Sequence, residues 1–179
     1  LQAEFDLENS FEAFFNFKFN TYQPSVYSGY KKLNLDKVYA AIIFFCSEVG
    51  VFKTKLNKLM FYADFKSFKE SAISITGLQY AKLPFGPVPD NYDHYIATLL
   101  MEKKILKEED DVGEKLLACE KPDLSIFSED EIDILIYIKK HFKAFTASRI
   151  SNYSHKEKAY VETEDSKFIA YTFSSELSV

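Results

Sequence analysis

From residue 35 onward, apolar residues recur at spacings of three and four. Leu35, Val38, Ile42, Phe45 and Val49 fall on one side of a helix that Asn34 can cap and Gly50 can end. A longer helix is expected from Thr54 to about Glu70. Leu56, Leu59, Met60 and Ala63 line one face of it, and Phe61, Phe65 and Phe68 line a nearly opposite one. A helix apolar on two sides belongs at the centre of a fold. The strip left over carries Lys55, Lys58, Tyr62, Lys66 and Lys69, which gaps of three or four keep on one face.

The period then changes. Thr76, Leu78 and Tyr80 alternate as in a strand over 74–82. Pro84, Gly86, Pro87 and Pro89 close it with a stiff turn. Pro89 also suits the first turn of a helix to about Lys103 that buries Tyr92, Ile96, Leu99 and Leu100. Residues 105–109 and 115–120 read as strands joined at Asp110-Asp111-Val112-Gly113, a hairpin signal. Ser128 and Glu131 form a capping box ahead of Ile132, Leu135, Ile136 and Phe142. Thr146 opens a short helix to about Tyr153, a further helix is expected over 155–161, and residues 168–171 read as a short strand. The sum is a helix-rich α+β single domain with a β-hairpin and one or two extra short strands.

Residues 1–32 read differently. Phe11, Phe14, Phe15, Phe17 and Phe19 alternate with Asn, Glu and Lys, and a helix is expected over 8–15. Gln23-Pro24-Ser25 and Ser28-Gly29 punctuate the chain like a linker. The expected organisation is an N-terminal arm or linker from an upstream domain over 1–32, followed by a domain over 33–179.

Composition narrows the function. With a formal net charge of -5, the chain as a whole is not a general nucleic-acid binder, which needs clustered Lys and Arg. Cys46 and Cys119 lie far apart and make no CxxC pair, so a disulfide scaffold is not expected and a reducing cytoplasm is. The longest apolar run, Ala40 to Cys46, is too short to cross a bilayer, so no membrane association is expected. His94, His141 and His155 are scattered, the glycines are isolated, and the acidic run Glu108 to Asp111 lacks calcium-loop spacing. No catalytic residue, metal or cofactor is expected.

Binding features remain. The lysine strip could steer an anionic partner, or it could be a solvated face whose stems cover apolar neighbours. Tyr80, Phe85 and Tyr92 flank a preset, proline-rich backbone, where rigid aromatics lose little entropy on binding. Residues 146–163 have a helix-turn-helix pattern with the 105–120 hairpin as a wing, which makes a DNA-binding transcriptional regulator the lesser alternative. Lys156 and Lys158 there are mixed with Glu157 and Glu162, a poor combination for phosphate.

Three blocks of sequence resemble a known family. Lys55-Leu56-Asn57-Lys58-Leu59-Met60-Phe61-Tyr62-Ala63 resembles its K-L-x-K-L-x-x-Y-A helix. Tyr80 with Phe85-Gly86-Pro87-Val88-Pro89 resembles its aromatic-then-Y-G-P-V turn. Ile150-Ser151, Ser154-His155, Glu157, Ala159-Tyr160 and Thr163 resemble its I-S-x-x-S-H-x-E-x-A-W-x-x-T ending, with Tyr160 where Trp is usual. The family is the Panacea domain, also called SocA-like or GepA-like. The resemblance covers roughly residues 33–171. It implies a non-enzymatic antitoxin of a bacterial or phage toxin–antitoxin system, which neutralises a cognate toxin by direct protein contact or, in some members, delivers it to a protease. Longer members carry an upstream DNA-binding part, which would place any nucleic-acid contact outside this domain. The resemblance carries over no contact residue; the lysine strip, the 80–92 region and His155 make the partner-binding candidates Lys55, Lys58, Tyr62, Lys66, Lys69, Tyr80, Phe85, Tyr92 and His155.

Overall fold

The computed structural model describes residues 23–111 and 113–179, and the expected helix over 8–15 lies outside them. Helix α1 spans Leu35–Cys46, with Asn34 Oδ1 accepting from the Lys37 amide at 3.0 Å. It ends four residues before Gly50, because Ser47 is extended and Glu48 and Gly50 both adopt positive φ. Val49 therefore leaves the expected core stripe and stands 75% exposed.

Strand β1 (Val51–Phe52) leads directly into helix α2 (Lys53–Ser71), the hub of the molecule. Helix α2 packs against α1, helix α4 (Glu129–His141), helix α5 (Ala147–Ser154), strand β3 (Gly86–Pro89) and a C-terminal 3-10 helix (Tyr171–Glu176). Its interior face stacks aromatics: the Phe65 ring lies 4.2 Å from Phe61 and 4.2 Å from Tyr171, with Tyr80 edge-on to Phe61 and Phe65.

Residues 74–79 form no strand. The carboxylate of Asp64, wholly buried in α2, accepts from the amides of Ile75 (2.9 Å) and Thr76 (2.8 Å), the Thr76 hydroxyl (2.5 Å) and the Tyr80 hydroxyl (2.7 Å). Backbone donors that a ladder would use are taken by a side chain. Strand β2 is Tyr80–Leu83, and it pairs with β3 in register Tyr80↔Pro89 and Leu83↔Gly86. Pro89 thus ends a strand rather than opening a helix. Helix α3 (Tyr92–Met101) starts after Asn91 in a left-handed conformation. The other sheet is antiparallel, in order β1–β5–β4, with β4 Ile105–Asp110 and β5 Gly113–Ala118 forming the expected hairpin. The fold is α+β with two small antiparallel sheets.

The capping box of α4 is present: Ser128 Oγ accepts from the Glu131 amide, and Glu131 accepts from the Ser128 amide at 2.9 Å. Thr146 caps α5 as its sequence predicts. The helix expected over 155–161 shrinks to α6, Lys158–Val161. Residues 168–171 provide one bridge, Ala81↔Phe168, before the 3-10 helix begins. Residues 25–31 pack on the domain: the Tyr171 amide donates to the Val26 carbonyl at 3.0 Å, the Tyr30 ring stacks on Phe68, and Lys31 pairs with Glu131 at 3.1 Å.

Candidate functional site: a groove where three motif segments meet

The three blocks of the resemblance converge on one point. Lys58, on α2, lies fully buried under the β2–β3 turn, which closes at Gly86. Gly86 has φ +103°, and a Cβ there would sit 2.5 Å from Ser154 Oγ and 2.6 Å from Lys58 Cε. Glycine is therefore required twice, by the backbone and by the crowding. We expect Gly86→Ala to lower stability by about 2–3 kcal/mol, read as a drop in Tm with a native-like circular dichroism spectrum. An unchanged Tm would contradict the packing described.

Helix α5 is tied to the same turn. Ser151 Oγ donates to the Phe85 carbonyl at 2.7 Å, and Ser154 Oγ donates back to the Ser151 carbonyl at 2.8 Å. The His155 ring stacks on Tyr160 with centroids 4.5 Å apart, and the Tyr160 hydroxyl donates to the Leu83 carbonyl at 2.9 Å. Tyr160 thus fills a Trp position with a ring that also ties the turn. On the other side, the Tyr62 hydroxyl donates to the buried Glu157 carboxylate at 3.1 Å, which also accepts from the amide and hydroxyl of Ser178.

Two polar atoms in this knot are buried without a hydrogen-bond partner among the described residues: Lys58 Nζ and His155 Nε2. Burial pushes the Lys58 amine down to about 7. Burial, then the nearby Lys58 and Lys82 charges, pushes His155 below its usual value, against a hydrogen bond to the Pro84 backbone.

Above the knot runs a groove of about 850 Å³. Val49, Phe52, Phe85 and Phe145 supply apolar walls, Lys55 and Lys115 supply charge, and Ser151, Asn152 and His155 supply polar edges. Phe85, at the lip, is 73% exposed. The guanidinium of Arg149, the chain's single arginine, lies 4.1 Å over the Phe145 ring. No Asp or Glu lines the groove, in a chain with 27 of them. Ion pairs of the described residues use Lys31, Lys37, Lys53, Lys66, Lys82, Lys104, Lys107, Lys139 and Lys158. Lys55, Lys115 and Arg149 have no described carboxylate partner. Lys55 Nζ instead donates to the Phe145 carbonyl at 2.7 Å.

The expected lysine strip does not form one solvent-facing surface. Lys58 and Tyr62 are interior, because β3, α4 and α5 cover that side of α2. Lys66 pairs with Glu70 at 2.8 Å and lies over the Tyr137 ring. Lys69 donates to the carbonyls of Leu177 and Val179. Tyr80 is buried on Asp64, and Tyr92 is half-buried beneath Lys53. Of the nine sequence-derived candidates, Lys55, Phe85 and His155 meet at the groove, with Lys58 beneath its lip. The lining residues Val49, Phe52, Lys115 and Phe145 were not among them, nor was Arg149, which stacks on Phe145. Cys46 is buried in α1, where burial pushes its thiol up to about 12 and makes it a packing group.

Among the described residues no cluster of His, Cys, Asp and Glu could hold a metal ion, and no helix is long and apolar enough to cross a membrane. The fold and the groove define a small α+β domain with a surface cleft lined by apolar, polar and basic side chains. The chain belongs to the antitoxin SocA-like, Panacea domain family, whose model matches residues 56–160. Those residues run from the first turns of α2 to Tyr160 and include Lys58, the β2–β3 turn, α5 and Glu157. No curated protein and no solved structure matches the chain.

Proposed function

We propose that this chain is the antitoxin of a bacterial or phage toxin–antitoxin pair, and that it neutralises its cognate toxin in the cytoplasm by direct contact through the groove. Family membership supports the antitoxin role. The observation that carries the surface is an exposed aromatic, Phe85, on a turn held by three chain segments, in a groove also lined by Lys55 and Lys115. A preformed aromatic edge orders little on binding, so more of its contact energy appears as affinity. The reading needs no catalytic step. Binding is the step common to blocking a toxin's active surface and to handing the toxin to a protease, so the groove serves either outcome.

Co-expression tests this. A toxin gene adjacent to this one should arrest growth alone, and growth should return when this chain is produced with it. A purified mixture should elute as one complex. Continued arrest with both proteins present, and separate elution, would overturn the reading.

A further inference from the structure

The geometry points to a specific chemistry for the segment that the groove receives: an acidic stretch of a partner protein that carries a bulky apolar side chain. This inference rests on the antitoxin reading for its biological partner, and it adds which part of that partner docks. The apolar side chain would sit against Phe85 and Phe145, which both line the groove. Its flanking carboxylates would meet Lys115 in the lining and Arg149, which stacks on the Phe145 ring of the wall; neither makes an ion pair among the described residues. Helices α2 and α5 both begin at this groove, through Thr54-Lys55 and Thr146-Ala147, and their N-terminal dipoles add to the same positive potential.

Charge complementarity chooses the occupant. A carboxylate-bearing segment gains from every charged group in the lining, whereas a basic segment meets only like charge. A polynucleotide would also bring negative charge. The lining, however, holds two lysines in a chain of net charge -5, which repels a long polyanion outside the groove. Lys58 supplies an independent pointer. It is an unpartnered, wholly buried amine beneath the lip, beside His155 in the wall, and a carboxylate held at His155 gives that amine the opposite charge it lacks.

The test uses the full chain and three fluorescein-labelled probes. These are a short peptide with a central Phe-Leu pair flanked by aspartates, the same peptide with lysines for aspartates, and a single-stranded RNA of matching length. Fluorescence anisotropy should show binding of the aspartate peptide, weakening with added salt, and none of the lysine peptide. The double variant Lys115→Glu/Arg149→Glu should weaken the aspartate peptide by about tenfold or more and admit the lysine peptide. Phe85→Ser should weaken it without changing its salt dependence. All three positions are at the surface or half-exposed, and matching circular dichroism melts establish that the variants fold. Equal binding of the two peptides, no binding of either, unchanged affinity in both variants, or tighter binding of the RNA would each overturn the proposal. Growth rescue of the toxin is scored separately: rescue that persists in the double variant sinks the groove chemistry alone, and absent rescue by the unaltered chain sinks the antitoxin reading.

Discussion

Replacing Asp64 with alanine should cost about 4 kcal/mol or more and lower Tm by about 10–15 °C, which in a chain of this size leaves most of it insoluble on expression. The reason is the number of donors that one carboxylate satisfies. The amides of Ile75 and Thr76 and the hydroxyls of Thr76 and Tyr80 all end on it, in a region without water access. Removing it strands buried donors, each with its own desolvation penalty. The damage spreads, because Thr76 O accepts from the Asn34 amide at the start of α1, and Tyr80 anchors both β2 and the Tyr171 cluster. Burial raises the Asp64 carboxyl from its usual value, against the Thr76 and Tyr80 hydrogen bonds that lower it. Asp64→Asn keeps one acceptor and the shape, and should lose distinctly less. Thermal melts of the two variants check this. Equal, small losses in both would show that the loop 74–79 is held by something else.

Lys58→Met should do the reverse and stabilise the protein, by on the order of 3 kcal/mol near pH 7. The amine has neither counter-charge nor hydrogen-bond partner among the described residues, and its folded value of about 7 lies well below that of an exposed lysine. Below pH 7 both folded and unfolded chains hold the proton, and the fold bears the whole cost of a buried ammonium. Between about 7 and the exposed value near 10.4, the unfolded chain keeps a proton that the folded chain has released, so stability rises with pH. Above that range both are neutral and the cost is gone. The gain from methionine should therefore be large at pH 6–7 and nearly absent by pH 10. Paired melts of wild type and variant across that range measure it. A variant less stable than wild type at pH 7 would refute the account. A stabilising replacement also frames the role of the lysine: a residue that weakens the fold is kept for something other than folding.

What the sequence made legible was local. Asn34, the Ser128–Glu131 box and Thr146 each act within a few residues of themselves, and each does what its side chain dictates. The lysine strip shows why the next level was harder. Helical spacing correctly puts Lys55, Lys58, Tyr62, Lys66 and Lys69 on one side of α2, but spacing carries no information about what covers that side. Elements elsewhere in the sequence cover it, and a lysine ordinarily signals solvent. The alternation of Thr76, Leu78 and Tyr80 misleads in a similar way. Ile75 and Gly77 are buried too, because the segment wraps a carboxylate instead of lying in a sheet.

The groove was half visible. Phe85 stood out as an aromatic among prolines on a stiff turn, and His155 through its motif. Val49 read as core because the backbone turn at Glu48 and Gly50, which throws it outward, leaves no mark on apolar spacing. Lys115 reaches the groove only because β5 pairs with β1, and Phe145, with Arg149 stacked on it, only because α5 docks on α2. These are long-range pairings that a single sequence does not announce.

The most direct measurement of the central claim is a titration of the purified cognate toxin with the purified chain while the toxin's own activity is followed. Activity should fall in proportion to the chain added, and the folded Phe85→Ser and Lys115→Glu/Arg149→Glu chains should leave it largely intact at the same concentrations. A toxin still fully active under excess wild-type chain, or silenced equally well by all three proteins, would contradict the account.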